Sequence, residues 1–296
     1  MNLVPPEYLD KYKVSQSFDR VAPTYEQWAI LQKTVGDELF ERLQWLKMAP
    51  QQILNVGAGT ARLSRVLGQQ YKDAYLYSID ISLKMSQIAR KKAPQGDSKQ
   101  YFICADATQL PVADDSIDLL VSNLMLQWCN DIYAIFAEFA RVLKPDGALF
   151  FSTFGPDTLT ELRHSWATAD QASHVNRFFD MHDIGDALLQ VGLSNPVMDV
   201  DRLQFTYSDV KALMKELKQI GAHNMTAGCP RGLMGKDKFQ AMLAAYEQYR
   251  SPEGVLPATY EIVYGHTLGK QQLKEPFAPP SGTVAIPISQ IGGRRG

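Results

Sequence analysis

The residues best suited to chemistry lie in one turn and just behind two short apolar runs. Ile53-Leu54-Asn55-Val56-Gly57-Ala58-Gly59-Thr60-Ala61 reads as a strand entering a glycine turn that opens a helix. Glycines there let the backbone bend sharply and approach a ligand closely, beside the positive end of the helix. Asp80 ends the next apolar run, 21 residues after Gly59, where a carboxylate can accept both hydrogen bonds of a ribose diol. Asp106, in Cys104-Ala105-Asp106-Ala107, closes the third run and is placed to meet an adenine edge. The plain alternative for each aspartate is a helix N-cap or a loop turn. The pattern points to a nucleoside site but not to a dinucleotide. Arg62 stands where Gly-x-Gly-x-x-Gly needs a glycine to let a pyrophosphate approach.

The elements that must hold these residues alternate regularly. Strands are expected at Ile53–Val56, Tyr75–Ile79, Tyr101–Cys104, Ile117–Val121 and Ala148–Thr153, with helices near Ala61–Gln70, Leu83–Lys92 and Asp131–Leu143. Continuous apolar strands alternating with helices predict a parallel α/β sheet, doubly wound with helices on both faces. Lys144-Pro145-Asp146-Gly147 is expected to stop a helix and start a strand, with Gly147 at positive φ. Thr158 with Glu161 reads as a capping box opening a helix through about Ala169. Further expectations are a strand at Pro196–Phe205, helices at Ser208–Ile220 and Lys236–Arg250, and a last strand at Tyr260–Leu268.

The domain plan that follows has an N-terminal helical segment over residues 1–50 and an α/β core over 51–206. A helical lid occupies 207–256, a final core strand 257–270 and a flexible tail 271–296.

Composition narrows the class. The 296 residues are 45% hydrophobic and 21% charged, which fits a globular protein and excludes disordered, collagenous and coiled-coil chains. Thirty basic against 32 acidic residues give a net charge of -2, so no global attraction draws nucleic acid. Three cysteines are too few and scattered for a disulfide framework or a thiolate zinc site. Without a signal segment or a run long enough to span a bilayer, a cytoplasmic protein is expected, with no membrane partner. The histidines lack metal-ligand spacing, so most read as structural or surface residues and no metal is expected. Cys129 reads as a packed thiol, since no neighbouring histidine lowers its pKa.

Gly57-Ala58-Gly59, Asp80 and Asp106-Ala107 are spaced as in the S-adenosyl-L-methionine (SAM) site of class I methyltransferases, and the resemblance covers roughly residues 50–155. It implies a Rossmann-like, doubly wound seven-stranded sheet whose last strand is antiparallel, with SAM held by Asn55, Gly57, Ala58, Gly59, Asp80, Ile81, Asp106, Ala107 and Asn123. Asn55 replaces the family's usual acidic residue, and Ala61 replaces its third glycine.

Other segments narrow the resemblance. Phe18-Asp19-Arg20-Val21-Ala22 with Tyr25 is similar to a helix that closes over SAM. Ser122-Asn123-Leu124, Gln127-Trp128-Cys129, Asn176-Arg177-Phe178 and Ile220-Gly221-Ala222-His223-Asn224 complete the set. Together they resemble the malonyl-acyl-carrier-protein O-methyltransferases of biotin synthesis, over about residues 12–268.

That resemblance implies methylation of the free carboxyl of a malonyl thioester, carried by acyl carrier protein or by CoA; a monomer is expected. Tyr25, Asn123 and Arg177 are the expected catalytic residues. Trp128, Asn176, Arg177 and His223 are the expected substrate contacts. Arg177 reads as the carboxylate anchor or as a surface ion pair, and Trp128 as a substrate contact or a core aromatic. Lys211, Lys215 and Lys218 share a helix face that is either a carrier-protein dock or an ordinary solvated face. Three rivals keep the fold: an arginine hydroxylase that assembles respiratory complex I, a quinone-type methyltransferase, and a non-catalytic binding module.

Overall fold

Strands that are mostly apolar need cover on both faces, and the architecture supplies it. The computed structural model describes residues 8–94, 99–222, 225 and 235–270. In it β1 (Gln52–Val56), β2 (Tyr75–Asp80), β3 (Gln100–Cys104), β4 (Ile117–Asn123), β5 (Leu143–Phe154), β6 (Ser194–Tyr207) and β7 (Leu256–Leu268) form one sheet. Its order is β3-β2-β1-β4-β5-β7-β6. The pairings among β1 to β5 are parallel, whereas β7 runs antiparallel to both β5 and β6. The seven strands and the antiparallel last strand match the expectation. Strand order reverses between β1 and β4, which opens a crevice at the carboxyl ends of the strands.

Three helices, α1 (Lys11–Val21), α2 (Tyr25–Trp28) and α3 (Ile30–Leu43), precede the sheet. After them come α4 (Arg62–Gln70), α5 (Leu83–Lys92), α6 (Ile132–Val142), α7 (Thr160–Ala167) and α8 (Met181–Gln190). The last two, α9 (Val210–Gln219) and α10 (Lys236–Tyr246), lie between β6 and β7 in the chain. Successive strand residues point to opposite faces, and both faces are filled. Ile53, Leu119 and Phe150 pack with Val35 and Leu39 of α3 on one face. Leu54, Leu120 and Phe151 pack with Phe136 and Phe139 of α6 and Leu188 of α8 on the other. Burying each such side chain contributes about 1.5–3 kcal/mol, so the two layers fix the strand ends that carry the site.

Several local expectations give way to longer-range contacts. Thr158 and Glu161 do not form a capping box. Leu159 is the N-cap, in a left-handed conformation at φ 54, and α7 starts at Thr160. Thr158 Oγ1 donates to Glu261 O at 3.0 Å and accepts from Glu261 N at 3.1 Å. The Glu161 carboxylate accepts from Thr259 Oγ1 and Thr259 N. Both side chains tie α7 to β7 instead.

Gly147 is not at positive φ. It is needed for space, because a Cβ there would sit 2.8 Å from Ile117 O of the neighbouring strand. The helix before it passes straight into β5 at Leu143. Asp180 N-caps α8, a helix that reading the sequence missed although Ile184, Ala187 and Leu188 carry its apolar spacing. Helix α10 ends at Tyr246 in a short 3-10 turn, and β7 begins at Leu256, four residues before the expected start. The expected tail, 271–296, lies outside the described residues. Among the described residues no helix is long and apolar enough to cross a membrane.

Candidate active site

The glycine turn is built by conformations that ordinary residues resist. Gly57 (φ 71) and Gly59 (φ 55) lie in the left-handed region, and so does Ala61 (φ 58). A Cβ on Gly57 would also overlap the Met125 side chain, so this glycine answers to both conformation and space. Ala61 holds the third glycine's conformation while fully buried, at a cost of roughly 1 kcal/mol. Gly57 N and Ala58 N both donate to Ile79 O, at 2.9 and 3.0 Å, which pins the turn against the end of β2.

Asp80 completes that corner. Its Oδ2 accepts from Gly59 N at 2.7 Å and its Oδ1 from Ser82 N at 2.8 Å. Burial nevertheless pushes its carboxyl up to about 6, against the pull of those two donors. Tyr25 lies over the turn, its Cε1 3.9 Å from where a Gly59 Cβ would stand. Burial first and the Asp80 charge second raise its phenol well above the ordinary value. At neutral pH Tyr25 is therefore a hydrogen-bond donor, not a base.

Helix α1 closes this end. Asp10 N-caps it, accepting from Tyr12 N at 3.1 Å. Lys11 Nζ lies 2.7 Å from Asp106 Oδ2, while Asp106 Oδ1 accepts from Thr108 N and Thr108 Oγ1 at 2.9 and 2.8 Å. Despite partial burial these partners hold the Asp106 carboxyl below its ordinary range. Ser15 Oγ donates to Ile81 O at 3.0 Å, and Asn130 exchanges two hydrogen bonds with the backbone of Leu9. Phe18 packs edge-on against Trp128, ring centroids 5.2 Å apart.

One cavity of about 1040 Å³ runs under this lid. At the β2–β3 end it is lined by Asp80, Ile81, Asp106 and Ala107, and in the middle by Gly57, Gly59, Tyr25 and Asn123. Beyond β4 the walls are Gln127, Trp128, Phe154, Leu162, Trp166, His174 and Asn176. Asn123 is a tie between layers: its Nδ2 donates to Gln32 O of α3 at 3.0 Å and its Oδ1 accepts from Ser152 Oγ at 2.8 Å. Burial pushes the Cys129 thiol up to about 12, so it is not a thiolate nucleophile.

Not every expected residue comes to the cavity. Asn55 is buried but turned away, its Nδ2 donating to Ser64 Oγ at 2.8 Å, and Ser64 in turn pairs with Ser78. Ala58 contributes its backbone to the turn but does not line the cavity. Arg177 is exposed and is likewise absent from the walls, because its neighbour Asn176 faces inward. His223 lies outside the described residues.

Sequence reading missed Gln32 and His174. The Gln32 and Asn176 side-chain oxygens are both buried without a hydrogen-bond partner among the described residues. Buried polar groups are normally satisfied, and these two oxygens leave acceptors open to a donor in the cavity. Gln32 carried no local signal, since only the packing of α3 across β4 brings it to the site.

The fold is that of a class I methyltransferase. Residues 54–151 match the methyltransferase domain family. A putative methyltransferase from Bacillus halodurans C-125 superposes with a TM-score of 0.56 at 13% identity, covering 79% of this chain and 99% of that one. A phosphoethanolamine N-methyltransferase 2 of Haemonchus contortus, solved with phosphomonomethylethanolamine and S-adenosylhomocysteine, gives 0.53 at 15% identity. It covers 91% of this chain and 61% of that one.

Sequence similarity is more specific. The chain is 48% identical over 266 residues to the malonyl-[acyl-carrier protein] O-methyltransferase of Laribacter hongkongensis, spanning 88% of this chain and 89% of the relative. It is 39% identical over 296 residues to that of Halorhodospira halophila, spanning 100% of both. The chain belongs to the malonyl-[acyl-carrier protein] O-methyltransferase family.

Proposed function

We propose that this chain is an O-methyltransferase that moves the methyl group of SAM to the free carboxylate of malonyl-[acyl carrier protein], at the start of biotin precursor synthesis. The observation that carries the reading is the single cavity joining a carboxylate-lined end, Asp80 and Asp106, to an amide-bearing end at Asn176. The first end offers acceptors to ribose hydroxyls and an adenine amino group. The unsatisfied Gln32 and Asn176 oxygens accept from donors such as the SAM ammonium group, and the Asn176 amide nitrogen can donate to an acid. These residues fit SAM and a short acid.

When bound, SAM supplies an electrophilic methyl on a sulfonium. The residues have no proton to remove, because a malonyl carboxylate is already ionised at neutral pH, given carboxyl pKa values near 4. Their work is orientation and exclusion of water, which can supply effective molarities on the order of 10⁵ M or more. Tyr25 holds its phenol as a donor over the glycine turn. Asn123 fixes α3 against β4 where the two ligands meet. Helix α1 and Trp128 cover the reacting centre.

The pantetheine arm enters under α9, where the exposed Lys218 borders the cavity. Lys211, Lys215 and Lys218 are all solvent-facing for an acidic carrier, and Lys215 also lies over the Trp28 ring at 5.6 Å. The test is incubation with methyl-labelled SAM and, separately, malonyl-[acyl carrier protein], malonyl-CoA and a quinone. The expected product is a base-labile methyl ester on the carrier-bound malonyl group. Label on the quinone alone, or on none of the three, would contradict the proposal.

A further inference from the structure

We propose that His174, seated by Asp170 and Trp166, is the residue that holds the substrate carboxylate by one oxygen, with Asn176 beside it. The inference rests on the malonyl reading above and names the anchor within it. His174 belongs to the connection between α7 and α8, and its side chain is 12% exposed. Its Nε2 lies 2.8 Å from Asp170 Oδ1, and its ring stacks on Trp166 with centroids 3.9 Å apart and planes 14° apart. Asp170 is itself held by Ala172 N at 3.0 Å and by Lys238 of α10 at 3.2 Å. The His174 hydrogen bond is the foremost of the influences that bring the Asp170 carboxyl down to about 2. The imidazole is thus fixed on two sides by partners that a packing residue does not need.

A carboxylate in line with one ring nitrogen and an indole face beneath the ring are the surroundings in which a cationic ring interacts most favourably. Among the described residues the other nitrogen, Nδ1, has no hydrogen-bond partner, while His174 lines the cavity. Two residues on, the Asn176 amide lines the same wall at 9% exposure with its oxygen unsatisfied. The free ring nitrogen and the Asn176 amide therefore share one wall, in a cavity half that is otherwise mostly apolar.

The chemistry favours a single-point anchor. A bidentate guanidinium would occupy both carboxylate oxygens. With Nε2–H on Asp170, the doubly protonated ring turns its Nδ1–H to the substrate, binds one oxygen and leaves the other a free lone pair. That lone pair forms the new O–C bond to the methyl, the S–C bond breaks, and the sulfur keeps the bonding electrons. The anion and the sulfonium become a neutral ester and a neutral thioether, and no proton moves. Once the ester has formed, the charge that His174 held is gone, which favours release of the product over the substrate.

Steady-state kinetics on His174→Ala and His174→Gln, with SAM affinity by calorimetry and acetyl-[acyl carrier protein] as a competitive inhibitor, test the assignment. Acetyl carrier protein lacks only the carboxylate, so its inhibition constant reports everything except the proposed contact. His174→Ala should raise KM for the malonyl substrate about 10- to 100-fold, the range of a charge-assisted hydrogen bond. Acetyl inhibition and SAM affinity should stay within about twofold, and His174→Gln should recover part of the loss. Equal weakening of malonyl and acetyl carriers, or an unchanged KM, would overturn the anchor alone. No turnover of malonyl-[acyl carrier protein] by the unaltered chain would overturn the substrate reading and the anchor with it. Should the alanine variant fail to fold, the glutamine variant gives the same comparison.

Discussion

Asp19 Oδ1 accepts a hydrogen bond from Ser82 Oγ at 2.6 Å, and the same oxygen accepts from Lys84 N at 3.0 Å. Ser82 N in turn donates to Asp80 Oδ1. The lid helix α1 is thus joined through Ser82 to the Asp80 carboxylate, so that the position of α1 and the shape of that corner are linked. Helix α1 supplies a second acceptor at the N-terminus of α5, beside Ser82 itself, which accepts from Met85 N at 3.1 Å.

Asp19→Ala is expected to loosen α1 without harming the sheet. Hydrogen bonds to a charged group are worth about 1.5–3 kcal/mol, less where water competes. SAM should therefore bind about 3- to 30-fold more weakly, mostly through faster release. Hydrogen exchange checks this: amides of α1 should exchange faster while those of β1 and β4 keep their protection. Unchanged exchange in α1 would count against the lid.

The Asp80 carboxyl, raised to about 6, gives two pH dependences of opposite sense. Ribose hydroxyls donate to the ionised form, so SAM affinity should be level above pH 7 and fall by up to about tenfold per unit as pH drops below 6. Stability runs the other way. The folded value stands above the ordinary 3.8, so the folded protein binds the proton more tightly, and this carboxyl costs stability that appears as pH rises from about 4 to 6. The stability of Asp80→Asn relative to the parent should therefore rise by roughly 1–3 kcal/mol between pH 4 and pH 8, while SAM binding is lost. Denaturant titrations at the two pH values measure the difference.

Gly57 and Ala61 share a conformation but not a neighbourhood, and their substitutions should differ in sign. Gly57→Ala adds left-handed strain and a clash with Met125, costing roughly 2–4 kcal/mol in total. Adding Met125→Ala should relieve the clash but not the strain. Ala61→Gly relieves strain at a buried site, and should change stability by at most about 1 kcal/mol in the favourable direction, with SAM affinity nearly unchanged. Thermal melts and calorimetry on the three variants decide it.

Asn123→Ala should act on both layers at once. It removes the donor to Gln32 O and the acceptor of the Ser152 hydroxyl, which keeps only its bond from Leu124 N, at a cost of about 1–3 kcal/mol. Turnover should fall by more than SAM affinity does, because the residue lies between the two halves of the cavity. An equal loss in both would assign Asn123 to the cofactor alone.

The cofactor half was legible in the sequence because its residues are local. Gly57, Asp80 and Asp106 stand at or just past the ends of the first three strands, and the strand order carries them to one edge without further instruction. The substrate half was less legible because distant elements build it. Gln32 comes from α3, outside the repeating units, and His174 from an irregular connection that no periodicity marks. Arg177 carried the right charge, but the chain turns Asn176 inward at that point. Thr158 and Glu161 carried the letters of a cap, yet Thr259 and Glu261, about 100 residues on, claim both side chains. Asn55 fitted the family position, but its amide is taken up by Ser64.

The most direct measurement is a crystal structure of the complex with S-adenosylhomocysteine and malonyl-pantetheine. The account predicts the nucleoside between Gly57, Asp80 and Asp106, and the malonyl carboxylate on the far side of Asn123, one oxygen on His174 and the other facing the sulfur. A nucleoside bound elsewhere, or a carboxylate turned away from the sulfur with both oxygens engaged by protein, would contradict it.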